Sequence, residues 1–325
     1  YKIIFFCPDS HIAADLNTLN NTGVGGGITS RLRVAHALAN NGHEETFYTN
    51  CPQEGTIQNV KNKHFSQLKD IKTDIFIAAS SGVSLDLGGL SSSVIEAKIK
   101  ILMVHGPYLP DNTDIEFFDF IYILSTYVRE IAEKQWNIDP KHFFVVYHGI
   151  AEENFVSTDL KRDPYSLVYL GHPSKGLDTA HKVFRILKEM DQRYQFHIYG
   201  SNLLWGEKED LIPKENGLVY HGMVGQVELA HNLQGMGFSL NLQSIEEAFG
   251  LSVAESMRAG CIVIASRVGA FPEIIQNGYN GFLVAGDDRE PQTQKYAASL
   301  ITTLVQNTGF SGYIRRNAIR TPMTW

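Results

Sequence analysis

Short runs of β-branched and aromatic residues alternate along the chain with stretches whose apolar positions recur at helical spacing. That order predicts parallel sheets with helices on their faces. In the first half the strand-like runs are residues 2–7, 45–49, 74–78, 99–104, 120–124 and 143–146. Ile28, Leu32, Ala35, Leu38 and Ala39 share a helical face, and Gly42 stops that helix. Between residues 152 and 164, Glu, Asn, Asp, Lys and Pro replace the periodic pattern. Strand-like runs then resume at 166–170, 195–199, 218–220, 238–242, 261–265 and 281–284, with a helix at 251–259 ended by Gly260. The pattern predicts two α/β domains, residues 1–155 and 156–325. There is no repeat of 20–50 residues and no low-complexity segment.

Composition sharpens this picture. A chain of 325 residues matches two domains of roughly 150 residues each, large enough to form cores without staples. Hydrophobic residues at 43% and charged residues at 19% exclude a disordered chain and a coiled coil. A net charge of −7 argues against a general nucleic-acid binder. Cys7, Cys51 and Cys261 are odd in number and far apart, so a reducing cytoplasm is expected rather than a disulfide framework. No apolar run is long enough for a transmembrane helix. The chain opens on a strand, without the basic region and cleavage site of a secretory leader, and without a starting Met, so a processed or trimmed chain is expected.

Three segments carry candidate chemistry. Gly23-Val24-Gly25-Gly26-Gly27 precedes the helix expected from Ile28, where glycine amides can approach an anion. A dinucleotide fingerprint would place these glycines directly after the first strand, but 15 residues separate Cys7 from Gly23. A glycine loop without a ligand is the alternative. The second segment, Leu170-Gly171-His172-Pro173-Ser174-Lys175-Gly176, sets one lysine at a strand's C-terminal end, where such sheets bind ligands and Lys175 can hold a phosphate. A solvated surface lysine is the bland reading. The third runs from Glu246 to Gly260. Glu247 falls on a loop, Glu255 falls in the first turn of the next helix, and the amides of Phe249–Leu251 face an anion. Dipole compensation alone also accounts for an acid in that first turn.

Taken together, these segments resemble the retaining nucleotide-sugar glycosyltransferases of the GT-B fold, in the large family marked by two glutamates eight positions apart, here Glu247 and Glu255. The match continues through Glu255-Ser256-Met257-Arg258-Ala259-Gly260-Cys261-Ile262-Val263-Ile264-Ala265-Ser266, Gly269-Ala270-Phe271-Pro272-Glu273 and Asn277-Gly278-Tyr279-Asn280-Gly281. In the first half, Gly25–Gly27 with Leu38-Ala39-Asn40-Asn41-Gly42-His43-Glu44, and Val146-Tyr147-His148-Gly149-Ile150, resemble the family's glycine loop and domain-closing segment. The chain departs from the family at His172, where an Arg is usual, in the short loop to Lys175, at His148 for Asn and at Ala270 for Gly. Residues 321–325 resemble the segment just before the family's final crossover helix, which is therefore expected to be absent or shortened.

The resemblance implies two Rossmann-like domains facing a central cleft, with a nucleoside diphosphate sugar, UDP being the expected nucleotide, bound on the C-terminal side. On this basis Glu255 accepts from ribose hydroxyls and Glu247 contacts the donor sugar. The segment Ala248, Phe249, Gly250 and Leu251 meets the sugar or the distal phosphate. Met223 and Val224 lie against the base. Lys175, with His172 as a donor, holds the diphosphate, and Gly26 and Gly27 complete the binding set. His105, at a strand end, falls where many members carry an active-site histidine, although a packing role is the alternative. His105, Lys175 and Glu247 form the expected catalytic set. The acceptor is expected to be a carbohydrate or a lipid-linked hydroxyl, with peripheral membrane contact left open. No cofactor is implied. The chain lacks the Asp-x-Asp that holds a metal in the other main glycosyltransferase fold, and its histidines show no zinc spacing, so no metal site is expected. A non-catalytic sugar-nucleotide-binding module and a nucleotide-sugar epimerase are the alternatives, with an NAD-linked dehydrogenase third.

Overall fold

The computed structural model describes residues 1–80, 87, 90, 93–109, 113–156, 160–209 and 214–323. Residues 157–159 of the polar break and Thr324 and Trp325 of the closing signature lie outside the described residues. Two compact units divide between Gly149 and Ile150, with Asn21–Gly23 grouped with the second.

The first unit carries an eight-stranded sheet. Its strands are β1 (Lys2–Phe6), β2 (Glu44–Thr49), β3 (Gly55–Ile57), β4 (Val60–His64), β5 (Ile71–Ser80), β6 (Ile95–Val104), β7 (Phe120–Ile123) and β8 (Phe143–Val145), in spatial order β3-β4-β2-β1-β5-β6-β7-β8. All neighbours are parallel except β3 and β4. The helices are α1 (Leu16–Asn21), α2 (Gly26–Asn40) and α3 (Thr126–Gln135). Ser125 caps α3 by accepting from the Val128 amide at 3.2 Å.

Every strand expected in this half is present, and three features go beyond the expectation. The stretch between Cys7 and Gly23 is not all loop, because α1 forms there with Asp15 accepting from the Thr18 amide at 2.8 Å. Strands β5 and β6 are longer than their apolar cores, extended by polar residues in register such as Lys72 opposite Glu96. The hairpin β3–β4 adds to the sheet beyond β2, with Val60–His64 pairing in parallel against residues 45–49. That addition makes β2 an interior strand. On it Glu45, in register with Ile3 and Val60, is 3% exposed, with neither carboxylate oxygen holding a hydrogen-bond partner. Burial pushes its carboxyl up to about 9.

The second unit is a six-stranded, wholly parallel sheet. Its strands are β9 (Ser166–Leu170), β10 (Gln195–Tyr199), β11 (Leu218–Gly222), β12 (Phe238–Asn241), β13 (Ile262–Ser266) and β14 (Phe282–Val284), in order β11-β10-β9-β12-β13-β14. Helices α4 (Leu177–Met190), α5 (Gln226–Leu233), α6 (Leu251–Arg258), α7 (Phe271–Ile274), α8 (Pro291–Gln306) and α9 (Thr308–Arg320) accompany it. Its core joins Leu167, Phe184, Phe196, Ile262 and Ile301, all fully buried.

In each sheet the strand order reverses at one place, where connections leave in opposite directions and a crevice opens at the strands' C-terminal ends. In the first sheet the reversal lies at β1, between β2 and β5. In the second it lies between β9 and β12. Among the described residues no helix is long and apolar enough to cross a membrane. The three cysteines are free and buried.

Candidate functional site

The loops after β9 and β12 meet at the reversal point of the second sheet, and glycines decide how. β9 ends at Leu170, Gly171 follows, and His172 caps a 3-10 turn of Pro173–Lys175, its Nδ1 accepting from the Ser174 amide at 3.3 Å. Gly176 follows at φ +117°, and a Cβ there would lie 2.1 Å from the Leu242 carbonyl oxygen. Only glycine lets this turn press against the end of β12. The consequence is an ion pair: Lys175 Nζ donates to Glu247 Oε1 at 2.7 Å.

The Glu247 loop is itself held by the segment after β13. The Ala270 amide donates to the Glu247 carbonyl at 2.9 Å, and a Cβ on Gly269 would stand 2.5 Å from the Glu247 backbone. The Gly269-Ala270 signature thus positions the glutamate. Gln243 Nε2 adds a long bond of 3.4 Å to the same carboxylate oxygen.

Gly250, in left-handed backbone at φ +106°, opens α6 at Leu251. The amides of Leu251 and Ser252 therefore stand at a helix N-terminus without intrahelical acceptors. The side chains of Ala248 and Phe249 are buried, so only the main chain of this segment can face a ligand. Ser252 and Ser256 donate to Asn241 and Ser239 of β12, at 3.0 and 2.9 Å, and fix α6 to the sheet.

Glu255 is the fifth residue of α6, not part of its first turn as expected. The helix starts at Leu251 because Gly250 sets the chain reversal, which moves Glu255 past the turn where dipole compensation acts. Its half-buried carboxylate accepts from Gln226 Nε2 of α5 at 3.1 Å. Met223 and Val224 are half-buried, and Val224 packs against the cluster of Leu170, Tyr199 and Leu233.

His172 is differently placed from the expected phosphate donor. Its Nδ1 is taken by Ser174, with Oγ at 2.8 Å, and its ring lies flat on Trp205, centroids 3.7 Å apart at 10°. Its buried Nε2 stands 3.5 Å from Glu207 Oε2 without a hydrogen-bond partner. Burial lowers the imidazole's pKa from its ordinary value, partly opposed by Glu207 and reinforced by Lys175. A neutral ring buried under an indole supports the loop. It does not reach outward. Trp205 went unnoticed in the sequence, where an isolated aromatic in a polar loop carries no signal.

In the first unit the structure assembles a second cluster. Helix α2 begins at Gly26, two residues earlier than expected, so Gly26 and Gly27 are its first turn and Gly25 its cap. The Gly27 carbonyl accepts from Arg31 Nε at 2.9 Å. Arg31 is completely buried and its Nη1 pairs with Asp9 and Cys7, just after β1. Burial pushes the Cys7 thiol up to about 11. His105, just after β6, lies 5.6 Å from His148 ring to ring. His148 Nδ1 is 3.1 Å from Ser30 Oγ. Burial first, then the charge of Arg31, lowers both imidazoles, His148 to about 3 and His105 well below its ordinary value. Both are neutral at pH 7. Asp9 and Arg31 were missed because they are 22 positions apart, on a loop and on a helix, and no local spacing announces such a pair.

Residues 151–319 match the family model described as glycosyl transferases group 1. The chain belongs to this family. A D-inositol 3-phosphate glycosyltransferase of Streptomyces scabiei is 40% identical over 192 residues, 51% of this chain and 43% of that protein. An uncharacterized glycosyltransferase of Methanocaldococcus jannaschii is 28% identical over 170 residues, 51% of this chain and 45% of that one. The chain thus spans less than half the length of these curated relatives. Among solved structures, Anabaena HepE in complex with UDP-glucose superposes with a TM-score of 0.67 at 13% identity, covering 98% of this chain and 93% of that one. Sucrose-phosphate synthase from Thermosynechococcus elongatus gives 0.71 at 15% identity, covering 100% and 96%. With two parallel-sheet units and these neighbours, the fold is GT-B.

Proposed function

We propose that this family member is a retaining glycosyltransferase that moves a hexosyl group from a nucleoside diphosphate sugar, with UDP as the nucleotide, to an acceptor hydroxyl without a metal ion. The observation that carries the reading is the Lys175–Glu247 pair at the reversal point of the second sheet, beside the open N-terminus of α6. A cation, a carboxylate and helix N-terminal amides are the groups that a diphosphate and a sugar hydroxyl call for, which supports this reading. The UDP-glucose named for the HepE structure supports the choice of donor class.

In this reading residues 156–325 form the donor side and residues 1–155 the acceptor side. Lys175 exchanges its partner, leaving Glu247 for the diphosphate, and Glu247 is freed to accept from hydroxyls of the sugar. As the glycosidic bond breaks, charge develops on the diphosphate, where Lys175 and the Leu251 and Ser252 amides stabilise it electrostatically. Glu255 accepts from the ribose hydroxyls. The neutral imidazole of His105 is assigned to the reacting centre; its Nε2 is buried and has no hydrogen-bond partner among the described residues. The acceptor is a carbohydrate or a lipid-linked hydroxyl, the latter presented at a membrane surface. No covalent enzyme intermediate is invoked.

The test is turnover. Incubated with UDP-sugars, the chain should hydrolyse or transfer the sugar at an unchanged rate in excess EDTA, because leaving-group charge falls on Lys175 and backbone amides. An activity lost in EDTA and restored by Mn²⁺ or Mg²⁺ would overturn the metal-independent mechanism. Binding of UDP-sugars with no turnover in any acceptor mixture would favour a binding module.

A further inference from the structure

The loop from β10 to β11 holds a residue that the functional reading leaves unused. Trp205 sits at the end of a 3-10 turn, Asn202–Trp205, that is built rather than loose. Ser201 caps it by accepting from the Leu203 amide at 3.0 Å, and Gly206 closes it at φ +75°. The Glu207 amide returns to the Asn202 carbonyl at 3.2 Å. One face of the indole is occupied by the buried His172 ring, 3.7 Å away and nearly parallel. Even so, the residue is 48% exposed. A large apolar ring locked by stacking on one side and open to water elsewhere is already ordered for a ligand, so binding costs it little entropy.

Its place in the sheet says which part of a ligand it meets. β10 lies between β11, whose loop carries Met223 and Val224, and β9, whose loop carries Lys175. Of these neighbours Trp205 leans to the Lys175 side, with Nζ 5.8 Å from the ring centroid. That same Nζ is 2.7 Å from Glu247. The ring therefore stands at the diphosphate–sugar end of the site rather than at the base. The cation–π contact also gives Lys175 a second favourable neighbour when it leaves Glu247.

We infer that Trp205 is a specificity-determining residue whose open face stacks on the apolar C–H face of the donor hexose. This rests on the functional reading above, since it names a further contact in the same site. Stacking of this kind contributes to the sugar-bearing ligand alone, and an aromatic contact is worth about two- to tenfold in affinity.

The experiment is calorimetric titration of the parent, Trp205→Leu and Trp205→Phe with UDP and with whichever of UDP-glucose, UDP-galactose and UDP-N-acetylglucosamine the parent binds most tightly. Trp205→Leu should weaken the UDP-sugar about five- to tenfold and UDP less than twofold, while Trp205→Phe, which keeps a stacking ring and preserves the turn, should retain most of the affinity. Equal weakening of UDP and UDP-sugar, or no weakening of either, would overturn the inference while leaving the functional reading intact. Should Trp205→Leu not fold, the parent's tryptophan emission decides: the UDP-sugar should shift it beyond the change caused by UDP, and Trp205→Phe should abolish that difference. Identical emission with the two ligands would overturn the inference. A parent that binds neither ligand would overturn the functional reading, and this inference with it.

Discussion

Replacing Lys175 with Ala should lower affinity for free UDP about 10- to 150-fold and leave uridine binding unchanged. The range follows from a charge-assisted hydrogen bond of roughly 1.5–3 kcal/mol lost only when phosphates are present. The ion pair with Glu247 adds a second, opposite expectation. Both side chains are partly exposed, 28% and 20%, so their pairing contributes no more than about 1 kcal/mol. UDP binding must draw Lys175 away from that carboxylate. Glu247→Gln removes the competition and should raise UDP affinity by up to about fivefold. It should nevertheless lower turnover by about an order of magnitude or more, because in the proposed mechanism the carboxylate contacts the sugar as charge develops. Titration with UDP and uridine, together with a donor-hydrolysis rate for each variant, measures both signs. Equal losses of UDP and uridine in Lys175→Ala would make the lysine a structural residue.

The second large effect concerns stability rather than binding. Glu45→Val should stabilise the chain by about 3 kcal/mol at pH 7. Burial holds the carboxyl at about 9 in the folded chain, against an ordinary value of 4.5. Below pH 4.5 it is protonated in both states and the shift costs nothing. From pH 4.5 upward the unfolded chain releases the proton while the folded chain keeps it. Folding therefore loses about 1.4 kcal/mol per pH unit until about pH 9, beyond which the loss is constant. Urea midpoints at pH 5, 7 and 9 for parent and variant provide the check. The variant's advantage should be small at pH 5 and grow through pH 9, and a difference that does not change with pH would show that the carboxyl ionises in place.

Both predictions depend on facts of different legibility. The alternation of apolar runs with helical periodicity was sufficient for twelve strands, two α/β domains and the direction of the sheets, because period and turn residues are local properties. The glutamate segment was legible for a similar reason. Gly250, Gly260 and Gly269 mark obligatory turns around it, and the structure shows all three at positive φ, with Gly250 close against Phe271 and Gly269 against Glu247. What the sequence by itself determined is therefore the architecture and the presence of Lys175 and Glu247 on loops that follow strands, with Glu255 on the next helix but one turn further in than expected.

Only the tertiary structure decided what these groups touch. Lys175 and Glu247 are 72 positions apart, and nothing local says that they pair. Their meeting requires the close approach of Gly176 to Leu242 across two strands. The Arg31–Asp9 pair, the stack of His172 on Trp205 and the neutral state of His105 depend in the same way on burial between distant segments. Glu45 shows the reason most plainly. Its neighbours Glu44 and Thr46 mark an ordinary polar strand start, and a glutamate there is expected in water. The weakly patterned hairpin β3–β4 joins beyond β2 and turns an edge strand into an interior one. Strand pairing is non-local, so the solvation of a side chain, and with it its charge, is set by the neighbour that arrives from elsewhere in the chain.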